Sequence, residues 1–338
     1  MSTAIKRIIP LQFPWQTEDP FLFCVHHRDE YPKAKADMSP DASLTGRVMG
    51  NDFVVKDGWR MYHGRKVPGF PHHPHRGFET ITIAEEGFVD HSDSLGAAGR
   101  FSEGDVQWMT AGKGVLHSEM FPLLREDQEN TLEIFQIWLN LPAKSKMVEP
   151  HFKMLWNEQI PAIKHHDEND KATSIKLIAG ILGDNSALKP TPSSWAADPK
   201  NQVLVARLDM DAGANYTLPA ASEGIKRTVY FYHGSGLKID DQNIPFYHAV
   251  VTSANQEIQL TAGAESCKVL ILQGKPINEP VAQYGPFVMN TKAEIEQAFD
   301  DYRQTGFGGW PWPEDEMVHS KEKGRFALHA DGTVEEPK

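Results

Sequence analysis

Four side chains in the first half of the chain have the types and spacing to hold a metal ion. In the string PGFPHHPHRGFET, His73 and His75 stand two positions apart, and on an extended strand positions i and i+2 project from the same face. GKGVLHSEM repeats that spacing with His117 and Glu119. Two adjacent antiparallel strands would bring all four side chains to one point. Imidazoles with a carboxylate suit Fe(II), Mn(II), Ni(II) or Zn(II), with Cu a further candidate, and no cysteine lies nearby to favour a thiolate-preferring ion. Four protein ligands leave about two positions of an octahedral ion open, and an open position separates a reactive site from a structural one. The expectation is one mononuclear centre of non-haem iron type.

Each element of this set has a plainer reading. An isolated H-x-H is weak in a chain with 15 histidines, and the second pair with its flanking glycines is what strengthens it. His72 points to the strand face opposite His73 and is read as solvent-facing. His26 with His27, and His165 with His166, are adjacent pairs that cannot share a strand face, so they are assigned to the surface. His63, His91, His151, His233, His248, His319 and His329 are read as ordinary packing or surface residues. Glu79 rivals Glu119, because in the general cupin pattern a glutamate follows H-x-H by three or four residues, as in His75-Arg-Gly-Phe-Glu79. The residues alone leave that choice open.

The elements that must position these side chains are strands. From about residue 45 the chain alternates apolar and polar residues between glycine-containing turns, as in FETITIAEEG and ENTLEIFQIWLNL. Twenty-six glycines and 23 prolines favour a sandwich or barrel over an alternating α/β sheet. At 338 residues the chain is long enough for two domains. The pattern breaks over residues 141–173 and resumes at SIKLIAGILG, NQVLVARLDM, RTVYFYHGSG and CKVLILQG. The expected division is therefore residues 1–150 as a metal-binding barrel, 151–173 as a linker, 174–290 as a second barrel without metal, and 291–338 as a helix with a surface tail. Thr291 followed by Glu294 forms a capping box before Ile295, Phe299 and Tyr302, which share one helical face. The tail is expected along the surface, with Trp310 and Trp312 as anchors.

Charge and composition narrow the function classes. Forty-six acidic against 34 basic side chains give a net charge of −12, the wrong sign for direct nucleic-acid binding. Cys24 and Cys267 provide no disulfide framework, which fits a reducing cytoplasm. No apolar stretch approaches the ~18 residues of a membrane span. A soluble, cytoplasmic protein is expected.

The strings PGFPHHPHRGFET, EGDVQWMTAGKGVLHSEM, KMVEPHF and YGPFVMNTKAEI, in this order, resemble the pirin family of the cupin superfamily over roughly residues 45–305. The resemblance implies an all-β bicupin, with two antiparallel β-barrel (jelly-roll) domains packed face to face; the C-terminal amphipathic helix and extended tail read from the residues complete the expected fold. It implies a metal, usually iron, in the N-terminal barrel alone, held by His73, His75, His117 and Glu119, with Glu79 near the site but not ligating. The second half carries no H-x-H and no H-x-E. The N-terminal DPFLFCVHHRDEYPKA and the tail after Phe307 extend beyond the family pattern.

Pirin-like proteins are associated with quercetin 2,3-dioxygenase activity and with non-enzymatic regulation through metal- and redox-responsive protein partners. Under the first role the substrate is a small flavonol-like aromatic, Glu119 is the catalytic base, and Phe78, Trp108, Met109, Met120 and Phe135 are candidate pocket walls or plain core. Under the second, the acidic balance favours a basic partner surface. An open path to the metal would favour the enzyme.

Overall fold

The structure is a computed structural model that describes residues 4–338. It is built of antiparallel strands with one α-helix of 14 residues near the C-terminus. Two compact units are present. One contains the described residues up to Cys24, together with Trp138–Asn140 and Gln159–Asn278, and the other contains Val25–Ile137, Leu141–Glu158 and Glu279–Lys338.

The first unit opens with β1 (Ile5–Pro10), which pairs with His248–Ser253 at the edge of a seven-stranded antiparallel sheet. A four-stranded sheet completes this unit, and its core is apolar, with Leu177, Leu208, Val229, Phe231, Leu260 and Ile271 among its wholly or almost wholly buried members. Burial of such side chains contributes roughly 1.5–3 kcal/mol each.

The second unit carries the histidine pairs. One of its sheets has the order β10–β7–β4–β9–β2, formed by β2 (Phe21–Tyr31), β4 (Phe78–Glu86), β7 (Asp105–Thr110), β9 (Asn130–Asn140) and β10 (His151–Leu155). The other begins with β3 (Gly69–His75), β8 (Val115–Met120), β5 (Phe88–Asp93) and β6 (Ala98–Ser102) in that spatial order, and continues with Phe326–Leu328 and Val334–Glu335 from the tail. Side chains from both sheets, among them Val89, Phe101, Leu132, Ile134, Phe152 and Met154, share one core.

This partition differs from the expected one in three places. The strand β1 belongs to the sheet of the second-half unit. Residues 151–173, expected as a linker, contain β10 in the unit with His73, His75 and His117 and Ala162–His166 in the other. The tail adds strands to the six-stranded sheet, with Phe326 and Ala327 buried. Short strands flanked by proline and charge give too few alternations to read as strands without their partners.

The helix α1 (Lys292–Thr305) begins as expected: Thr291 caps it, and both halves of the capping box with Glu294 are made. Ile295 and Ala298 are buried, with Phe299 and Tyr302 packed beside them against Phe287 and Met289.

Candidate metal centre

The strand β3 bears prolines at 71 and 74 within seven residues, which an interior strand would not tolerate because proline has no N–H for the ladder. It lies at the sheet edge, with β8 as its strand partner and a single parallel bridge from Gly69 to Tyr62. There His73 stands opposite His117, and Phe70 stands opposite Glu119, with a bulge between Phe70 and His73. Since His117 and Glu119 share a face, the bulge turns Phe70 to the same face as His73. Gly69 is required at the start: its φ is +132°, and a Cβ there would lie 2.5 Å from the Glu119 carbonyl oxygen.

His73, His75 and His117 offer ligand nitrogens that all lie within 4.8 Å of one another. Their ring centroids are 4.5 Å apart for His73 and His117, 4.8 Å for His75 and His117, and 4.7 Å for His73 and His75. The Nδ1 of His73 faces the Pro71 carbonyl at 2.9 Å, and that of His75 faces the Pro286 carbonyl at 3.4 Å. A proton on Nδ1 donated to a carbonyl leaves the lone pair on Nε2 for an ion. His117 is fully buried, and neither of its ring nitrogens has a hydrogen-bond partner. A buried imidazole costs free energy when left unbonded, and a ligated ion removes that cost. The donor set thus fits a metal, and three imidazoles around an open position suit a divalent transition ion.

Burial lowers the basicity of all three rings. His73 falls to about 4, and His75 and His117 fall well below the usual range, with neighbouring imidazoles adding to the effect of burial. All three are therefore neutral and ligand-ready near pH 7. Burial also raises the Glu119 carboxyl, an effect opposed by His91 and by hydrogen bonds from Gln136 and Thr82.

Glu119 shares the face of His117, but its carboxylate is engaged elsewhere: Oε1 accepts from Thr82 Oγ1 at 3.1 Å, and Oε2 accepts from Gln136 Nε2 at 2.5 Å. It is not part of the close group formed by the three histidines. Glu79 lies on β4, in the sheet across from the histidines, and accepts from Thr110 Oγ1 at 2.6 Å. Thr82, three positions on, reaches Glu119, so Glu79 sits on the opposite face of β4. Strand alternation also divides the expected pocket walls. Phe78, 5.1 Å from His75 by ring centroid, and Met109, opposite Thr80, share the site face. Trp108, Met120 and Phe135 are neighbours in sequence of Met109, Glu119 and Gln136 and point the other way.

Several histidines read from sequence as packing or surface residues belong to buried networks. His91 is wholly buried, stands opposite Glu119 on β5, and has its ring 5.5 Å from that of His117. Its Nε2 bonds Asp93 Oδ2 at 3.1 Å. The spacing His91-x-Asp93 was visible as a same-face pair, but without a second metal-type residue it carried no distinguishing signal. His319 in the tail donates its backbone N–H to Asp90 and places Nε2 3.0 Å from the His91 carbonyl oxygen. His27, expected at the surface, is buried against Tyr62, and His26 stacks on Phe135 and bonds Glu133.

Among known proteins, residues 11–139 match the sequence profile described as Pirin, and residues 205–308 match that of the Pirin C-terminal cupin domain. A pirin-like protein of Solanum lycopersicum is 36% identical over 288 residues, which cover 82% of this chain and 91% of that protein. Pirin-1 of Arabidopsis thaliana is 36% identical over 242 residues, covering 71% and 78%. The crystal structure of a quercetin 2,3-dioxygenase from Acinetobacter baumannii is similar with a TM-score of 0.70 at 28% identity, covering 90% of this chain and 98% of that one.

Proposed function

The chain belongs to the pirin family, and from that premise we propose that it is a mononuclear metal-dependent dioxygenase of the quercetin 2,3-dioxygenase kind. In this reading His73, His75, His117 and Glu119 hold one ion, iron before manganese, nickel, copper or zinc, and the substrates are hydroxylated planar aromatics. The observation that carries it is His117, fully buried with both ring nitrogens unbonded, between two histidines whose rings are tethered through Nδ1. When bound, the ion supplies Lewis acidity to the substrate oxygen and a redox path to dioxygen.

The protein's own residues do the remaining work. Burial keeps the three imidazoles neutral, so no proton competes for their lone pairs near pH 7. Glu119 takes the proton of the substrate hydroxyl, and Thr82 and Gln136 orient its two oxygens for that task. His73 is less buried than His75 and His117, which supports approach of a substrate from its side. Phe78 and Met109 give that substrate an apolar wall.

The test is metal analysis of protein purified without chelators, joined to an anaerobic flavonol titration and then to oxygen-dependent turnover. About one ion per chain, a flavonol-induced spectral shift and turnover are expected. His117→Ala should lose the ion while far-UV circular dichroism stays unchanged, because the apolar core does not rest on the metal. Full metal retention in His117→Ala sinks the assignment. Bound metal without turnover of any flavonol would move the reading to metal-dependent protein binding.

A further inference from the structure

Among the described residues, two buried side chains have two polar atoms each without a hydrogen-bond partner. One is His117. The other is Gln107 on β7, fully buried, with neither its amide oxygen nor its amide nitrogen bonded. Native interiors rarely leave a buried amide so, because both its donor and its acceptor capacity have been taken out of water. Gln107 is directly opposite Thr82, the residue that holds Glu119, and so faces the metal centre. One step along the same face is Thr80, also fully buried and with its hydroxyl unpartnered. From the facing sheet comes His91, whose Nε2 is held by Asp93 while Nδ1 is left unpartnered.

We infer that Thr80, His91 and Gln107 form a polar subsite beside the triad that recognises the substrate through hydrogen bonds; the inference rests on the dioxygenase reading and specifies what that site selects. The donor and acceptor pattern defines the ligand. With Nε2 held by Asp93, His91 leaves Nδ1 to pair with the ligand. Gln107 asks for one acceptor and one donor, and the Thr80 hydroxyl can serve either. A ligand with hydroxyl groups beside a carbonyl meets all three. Its body is apolar, because Met109 stands opposite Thr80, and Phe152, paired with Met109, lies against the His91 ring at 5.1 Å. Polyhydroxylated aromatic ketones have this combination, and an unsubstituted flavone lacks the hydroxyls.

The experiment compares the metal-replete protein with Gln107→Met and Thr80→Val, near-isosteric changes that remove the unpaired atoms. Thermal midpoint, metal per chain, and anaerobic binding of quercetin and of unsubstituted flavone are measured for each. Unmet polar atoms oppose folding, so the midpoint should stay or rise in both variants, with metal content unchanged. Quercetin binding should weaken about tenfold per variant, as expected for one lost hydrogen-bond pairing, while flavone binding stays the same. A midpoint lowered by several degrees would show that these atoms serve the fold, and unchanged quercetin affinity would show that they serve no ligand; either overturns the subsite. Wild-type protein that binds neither quercetin nor flavone would overturn the dioxygenase reading, whereas binding of flavone as tight as that of quercetin would overturn the polar subsite alone.

Discussion

At the scale of single residues, the two glutamates that sequence spacing could not separate are separated by the strands that carry them. Glu119 rides on the strand of His117, whereas Glu79 points away on the opposite sheet toward Thr110. Glu119→Gln keeps size and one carbonyl oxygen but cannot accept a proton, so turnover should fall roughly 10²- to 10⁴-fold. Glu79→Gln keeps an oxygen for the Thr110 hydroxyl and should leave metal content unchanged. An empty site in Glu79→Gln would reverse the assignment. Lys146 offers a test of a different kind. It is buried with Nζ donating to the carbonyls of Gly77 at 2.8 Å and Val288 at 3.1 Å, and burial pushes its ammonium down to about 8 from an ordinary 10.5. Between those two values the unfolded chain holds more protons than the folded one, so this residue's contribution to stability rises with pH across that window. Urea titrations should show the stability difference between wild type and Lys146→Met shifting in favour of wild type from pH 8 to 10. A pH-independent difference would mean that the ammonium is not depressed.

At the scale of elements, the metal centre depends on how closely β3 approaches β8. Gly69 permits that approach through a backbone conformation open almost only to glycine, and a side chain there meets the Glu119 carbonyl. Gly69→Ala should therefore cost about 1–3 kcal/mol and weaken metal binding, although Gly69 offers no ligand atom. Metal affinity equal to wild type, measured by competition with a chromophoric chelator, would show that the strand spacing does not set the site. The prolines of β3 belong to the same argument: they confine it to a sheet edge, where β8 is its strand neighbour and the Gly69 and His72 N–H groups go instead to the Met61 and Asp315 carbonyls, and His75 can then end the strand under the Pro286 carbonyl. The helix, by contrast, was legible in full, because Thr291, Glu294 and the apolar face are all local signals.

At the scale of the whole molecule, the tail is a working part of the unit that carries the three clustered histidines. Arg100, fully buried, forms a two-pronged pair with Asp90 at 2.7 Å on each side and also donates to the carbonyls of His319, Ser320 and Lys323. Removing one partner of such a buried pair costs on the order of 3–5 kcal/mol. Arg100→Leu should therefore destabilise the unit and release the tail, seen as new proteolytic cleavage after Gly308 before any other cut; a protected tail in this variant would place its anchor elsewhere, for example at the Trp312 indole that bonds the Asp93 carbonyl. The sequence by itself determined what local spacing can encode: strand alternation, the capped helix, the same-face pairs His73/His75 and His117/Glu119, and the strings that mark the family. Those signals depend on periods of two or 3.6 residues and need no knowledge of neighbours. Only the tertiary structure decided which strands lie side by side, and with them the face that Glu79 takes, the entry of His91 and Gln107 into the site, and the docking of β1 and the tail. Strand partners far apart in sequence are chosen by hydrogen-bond register and shared burial, and neither leaves a periodic trace in the chain.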